Sequence, residues 1–117
     1  MTSEATELKN QYQCPVEATM DVIGGKWKII IIHHLIPETR RFSELRRLIP
    51  QVTQRMLTSQ LRELEKHGVV HREVYPQVPP KVEYSLTELG KSLQPILGIM
   101  HDWGESFIKK SDATYKN

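Results

Sequence analysis

A single cysteine, Cys14, stands in this chain of 117 residues. No intramolecular disulfide can form, and a reducing compartment, the cytoplasm, is expected. No apolar run approaches the roughly 20 residues that cross a bilayer, so no membrane partner is expected. Residues 1–15 lack an apolar core and carry Glu4 and Glu7, unlike a secretory leader. The five histidines, His33, His34, His67, His71 and His101, have no zinc-type spacing with Cys14, so no metal and no other cofactor is expected. A glycine-rich phosphate loop and a hydrolase-type nucleophile motif are both missing, which leaves an enzyme little to stand on. Charge of one sign is scarce too: the net charge of +2 does not by itself call for a nucleic acid.

What is present is a globular balance, with 38% hydrophobic and 26% charged residues, in a length that suits one domain. The charge is unevenly placed. Lys26, Lys28, Arg40, Arg41, Arg46, Arg47, Arg55 and Arg62 gather toward the first half of the chain. A local basic face attracts phosphates even on a nearly neutral protein.

Residues 1–13 are polar and read as an arm, residues 111–117 as a tail, and residues 14–110 as the domain. Cys14-Pro15 opens a first helix through Ile23, with proline in its favoured first position, and Gly24-Gly25 ends it. Lys26 to Leu35 is a second helix, with Trp27, Ile31 and Leu35 on one face. A short third helix begins at Phe42-Ser43 with Ser43 as its cap. It turns Leu45, Leu48 and Ile49 inward and closes at Pro50. Thr53 caps a longer helix to His67, ended by Gly68. Its inward stripe is Leu57, Leu61 and Leu64; at about 100° per residue the opposite side carries Arg55, Ser59, Arg62 and Lys66. Val70, Arg72 and Val74 alternate with His71, Glu73 and Tyr75 as in a half-buried strand. Gln77 to Pro80 is a tip stiffened by proline, and Lys81 to Leu86 returns. Thr87 caps a last helix through Ile108, which Pro95 is expected to kink.

A short helix, a tight turn, a longer helix and a hairpin, in that order, define the expected fold: mainly α with a small β-hairpin wing, a winged helix-turn-helix. An α-helix fits the major groove of double-stranded DNA while a hairpin grips the backbone beside it. Thr53, Gln54 and Arg55 begin the recognition helix, where side chains meet base edges; Gln54 suits adenine and Arg55 guanine. Ser59 and Arg62 lie farther along and reach bases or phosphate. Arg46 and Arg47 on the preceding helix suit phosphates, while Lys81 at the base of the wing suits the backbone or the minor groove. The bland alternatives are a solvent ion pair of Arg47 with Glu44 and a winged helix that binds only protein. The last helix is more apolar than a small monomer needs, with Trp103 and Phe107 close together. A second copy is expected to cover it, with Val16, Met20, Leu97, Met100, Trp103 and Phe107 at the interface.

The runs CPVEATMDVIGGKWKIIIIHHL, FSELRRLIPQVTQRMLTSQLRELEKHGVV and VPPKVEYSLTELG closely resemble the HxlR family of MarR-like bacterial transcriptional regulators, over residues 14 to about 108. The resemblance implies a homodimer, built through the first and last helices, that binds an operator and regulates transcription; repression is the sign taken here. It also implies that Cys14 occupies a position where some members sense quinones, aldehydes or oxidants. A helix N-terminus favours a thiolate, which fits a small electrophile as signal; a packing role for Cys14 is the plainer alternative. A small-molecule-responsive regulator without thiol sensing, using a cavity at the dimer interface, also fits.

Overall fold

The computed structural model describes residues 11–116, with side chains through Ser111. Most of the expected arm, residues 1–10, therefore lies outside the described residues, as do the side chains of the expected tail past Ser111. The elements are α1 (Pro15–Ile23), α2 (Lys28–Leu35), β1 (Arg40–Arg41), α3 (Phe42–Leu48), α4 (Gln54–Lys66), β2 (Val70–Tyr75), β3 (Lys81–Leu86), α5 (Glu88–Lys91) and α6 (Gln94–Lys116). The strands form an antiparallel sheet in the order β1-β3-β2. Helices α2, α3, α4 and α5 pack against the sheet.

The core follows from the helical periodicities. Ile31, Ile32 and Leu35 of α2 and Leu57, Leu61 and Leu64 of α4 are buried, with Leu45 and Ile49 closing the turn side and Val69 and Tyr84 the sheet side. Each such side chain contributes roughly 1.5–3 kcal/mol by leaving water. Gly68, at φ 78°, makes the left-handed turn that joins α4 to β2. Thr87 then locks this corner. Its hydroxyl donates to Gly68 O at 2.6 Å and accepts from Gly90 N–H at 3.0 Å. Gly90 itself lies so close to Val69 that a Cβ would meet the carbonyl oxygen.

Several local expectations change. Ser43 is not the cap of α3. The cap lies two residues earlier: Arg41 takes that position, and Glu44 Oε1 reaches back to accept the Arg41 N–H at 2.9 Å. Trp27 is the N-cap of α2 rather than an interior residue, because Gly25 at φ 86° places a turn where Lys26 would have begun it. Leu48 points outward. The strand β1 is new: two residues pair with β3, Arg40 opposite Tyr84. The alternation in β2 does not bury a full face; only Val70 is buried, since β2 is the sheet edge and runs past the end of the core. The last helix is two helices. Thr87 caps only α5, and Pro95 does not kink α6 but falls in its first turn, where a missing N–H leaves no bond unmade.

Candidate nucleic-acid interface

The turn between α3 and α4 is held from below by Ile49 and Val52, both buried. Thr53 sits at its end with extended backbone, and its Oγ1 accepts the Met56 N–H at 3.1 Å, a bond that fixes where α4 begins. With Leu57, Leu61 and Leu64 seated in the core, the helix has one rotation about its axis. That rotation leaves Gln54, Arg55, Ser59 and Arg62 exposed together on the opposite side. Arg46 and Arg47 are exposed in the last turn of α3. The Arg47–Glu44 pair does not form; Glu44 is engaged by the Arg41 backbone. Among the described residues Arg46, Arg47, Arg55 and Arg62 have no ion-pair partner.

Other members of the basic set are already partnered. Lys28 is buried, with Nζ 3.3 Å from Glu63 Oε1. Arg40 pairs with Glu38 at 3.0 Å and donates from Nε to His34 O at 3.0 Å. Lys26 lies over the Trp27 ring, 4.8 Å from its centroid. Lys81 stands opposite Tyr75 on the hairpin, 4.7 Å over its ring and 3.5 Å from Glu83. The Glu83 carboxylate, accepting from the phenol, also pushes Tyr75 above the usual phenol range. Lys81 is thus a partly neutralised cation, held at the base of a wing whose tip presents a fully exposed Val78.

Two residues near this surface are given no role by a reading of the sequence in segments: Glu63 and Arg72. Glu63 shares the α4 surface with Gln54, Arg55, Ser59 and Arg62, and its Oε2 accepts from Gln60 Nε2 at 3.3 Å. The signal for Arg72 is its place on the Val70 and Val74 side of the alternation in β2.

Cys14 is exposed at the N-cap of α1. Its carbonyl accepts the Glu17 N–H at 3.0 Å, and the Glu17 carboxylate accepts the Gln13 N–H at 3.0 Å. The thiol makes no cap hydrogen bond. Of the residues assigned to a dimer interface, Val16, Met20, Met100, Trp103 and Phe107 are exposed, but Leu97 is 8% exposed and belongs to the chain's own core. Ile96, Met100, Trp103 and Phe107 recur at spacings of four, three and four, which aligns them in one stripe along α6. Trp103 and Phe107 stack with ring centroids 5.3 Å apart. No group of three or more potential metal ligands occurs among the described residues, and no described helix is long and apolar enough to cross a membrane.

A helix-turn-helix whose second helix shows an unpaired polar and basic face, followed by an antiparallel hairpin, is a winged helix-turn-helix. The sequence relationships agree. The family described as HxlR-like helix-turn-helix matches residues 22–112, and the chain belongs to it. YdeP of Bacillus subtilis, described as an uncharacterized HTH-type transcriptional regulator, is 63% identical over 99 residues, covering 85% of this chain and 77% of that one. The redox regulator HypR in its reduced form superposes with a TM-score of 0.81 at 61% identity, covering 86% of this chain and 99% of that chain. Its oxidized form gives 0.76 at 67% identity, covering 80% and 96%. The chain is accordingly a transcriptional regulator of the helix-turn-helix type, not an enzyme.

Proposed function

We propose that the protein binds double-stranded operator DNA as a homodimer and that modification of Cys14 lowers this binding, so that a repressed gene is released. The observation that carries the DNA reading is the unpaired guanidinium set, Arg46, Arg47, Arg55 and Arg62, around a helix fixed in rotation by the core. Gln54 and Arg55, just after the Thr53 cap, are the base-reading residues, with Ser59 and Arg62 beyond them. Arg46 and Arg47 hold phosphates, and Lys81 adds a weaker backbone contact. Two copies are supported by the exposed apolar stripe of α6 and by exposed Val16 and Met20 of α1, which a partner would take out of water.

The test begins by sequencing DNA that the purified protein retains, then titrating that duplex and a scrambled one by fluorescence anisotropy. Two similar half-sites about one helical turn apart, or a multiple of it, are expected. Arg55→Ala should weaken the specific duplex by roughly 1–3 kcal/mol and the scrambled one far less. Equal affinity of the unaltered protein for both duplexes would refute sequence reading.

The thiol reading is favoured by the exposure of Cys14 and by the likeness to HypR, itself a redox regulator. With one cysteine per chain, oxidation leads to a bridge between subunits or to a mixed disulfide with a small thiol. Either would shift α1 and with it the spacing of the two recognition helices. Diamide with glutathione should lower the affinity of the unaltered protein and leave Cys14→Ser unaffected. Full modification of Cys14, verified by mass, with unchanged DNA affinity would refute it.

A further inference from the structure

Between the recognition helix and the wing lies a cleft of about 250 Å³, lined by Thr58, Leu61, Arg62 and Glu65 of α4 and by Arg72 and Tyr84 of the sheet. Leu61 and Tyr84 are its buried members, and the rest of the lining is polar or charged. Its two cations come from different elements, and neither Arg62 nor Arg72 has an ion-pair partner among the described residues. Arg72 lies directly opposite Tyr84 and on the same face of β2 as buried Val70, because side chains two apart in a strand share a face. A guanidinium thus takes the next place in a core-facing row, where one more apolar residue would have extended the core.

We infer that this cleft is a phosphate site, in which Arg62 and Arg72 together hold one phosphate of the DNA backbone passing between helix and wing. The assignment rests on the DNA reading above. Guanidinium forks match phosphate oxygens in pairs. The Thr58 hydroxyl donates to Gln54 O at 2.9 Å, so its proton is engaged and the anion is held by the arginines. Glu65 is the opposing charge in the lining and weakens the site. A contact of this kind carries no base preference. It ties wing and recognition helix to the same strand and so sets how deeply α4 sits in the groove. An inward charge on the β2 edge could instead serve only to discourage strand addition, a role that leaves DNA binding untouched.

The test is the salt dependence of affinity for the retained and the scrambled duplex, with Arg62→Met, Arg72→Met, the double variant and Glu65→Gln. Each arginine variant should reduce the slope of log affinity against log salt by about 0.9, the share of one phosphate. The double variant should lose that same share, because the two residues hold one group. Base preference should not change in Arg72→Met, and Glu65→Gln should strengthen both duplexes alike. Arg72→Lys, which keeps charge but loses the fork, should keep the slope while lowering affinity. It also guards against a folding defect, as do matched far-ultraviolet spectra. An unchanged slope in Arg72→Met, or a twofold loss in the double variant, overturns the shared site. Inorganic phosphate replacing chloride at equal ionic strength tests a free anion as occupant. If it raises the thermal midpoint of the unaltered protein but not of Arg72→Met, while DNA slopes stay equal, the cleft is for a small anion and the inference is overturned. If the unaltered protein binds no duplex, the DNA reading itself fails, before any variant is compared.

Discussion

Removing one partner of the Lys28–Glu63 pair should cost far more than removing the other. The two charges are 3.3 Å apart, but only one of them is dry: the side chains are 10% exposed for Lys28 and 47% for Glu63. Glu63→Ala strands a buried ammonium. Breaking a buried pair in this way costs about 3–5 kcal/mol. Because Glu63 is half in water, solvent reaches the ammonium once the carboxylate is gone, and screening lowers the expected cost to about 1.5–3 kcal/mol. Lys28→Met removes the attraction and the desolvation penalty together and keeps most of the stem's packing volume. The carboxylate left behind stays hydrated and keeps its Gln60 donor, so the net change should lie within about 1 kcal/mol of zero, of either sign. Urea unfolding followed by circular dichroism measures both, at one fixed protein concentration because assembly shifts apparent stability, with an unchanged m-value as control. If Lys28→Met costs as much as Glu63→Ala, attraction outweighs desolvation here, and the argument from one-sided burial fails.

Leu97 and Trp103 lie on the same helix but should fail differently. Leu97→Ala should lower stability by about 2–5 kcal/mol with no direct effect on assembly. Trp103→Asp with Phe107→Asp should yield a folded monomer by sedimentation; a dimer that survives it would rule out the α6 stripe as interface. Lys81→Ala should reduce the DNA salt slope by less than Arg47→Ala does, because Glu83 already offsets the lysine charge. Equal losses would show that the Glu83 pair opens on DNA. Burial first, then His33 and Arg40, holds His34 below the usual imidazole range. Below about pH 6.5 the unfolded chain therefore binds more protons than the fold at this site. Stability should fall with pH across that window, and His34→Gln should flatten the fall in urea midpoint. Parallel midpoint-versus-pH curves would count against the assignment.

Periodicity made the core legible. Leu57, Leu61 and Leu64 repeat at helical spacing, and once they are fixed inward the exposure of Gln54, Arg55, Ser59 and Arg62 follows from geometry. Shorter-range chemistry was less legible. Serine is a commoner cap than arginine, yet α3 starts at Arg41 because Glu44, three residues on, can reach that N–H. A two-residue strand such as β1 has no period to detect. Pro95 is compatible with a kink or with a helix start, and the choice fell to the corner built by Thr87 and Gly90. Partnering was least legible of all: Lys28 and Glu63 are 35 residues apart in sequence, beyond the reach of any local rule.

That last gap sets a measurable bound on DNA binding. Counted by residue type, Lys26, Lys28, Arg40, Arg41, Arg46, Arg47, Arg55 and Arg62 would together give a dimer a salt slope near −14, at about 0.9 per neutralised phosphate. The structure removes Lys26, Lys28 and Arg40 from that set by internal partners, and a base-reading Arg55 releases no phosphate counterion of its own. Arg41 lies in β1, ahead of both helices of the motif, and pairs with β3. What remains is Arg46, Arg47 and the one phosphate shared by Arg62 and Arg72, about three phosphates per subunit, to which Lys81, offset by Glu83, adds less than one. The slope for the specific duplex should then lie between about −5 and −7. A slope beyond about −9 would mean that the internal pairs open on DNA, and that a cation's partner in the free protein does not decide its role in the complex.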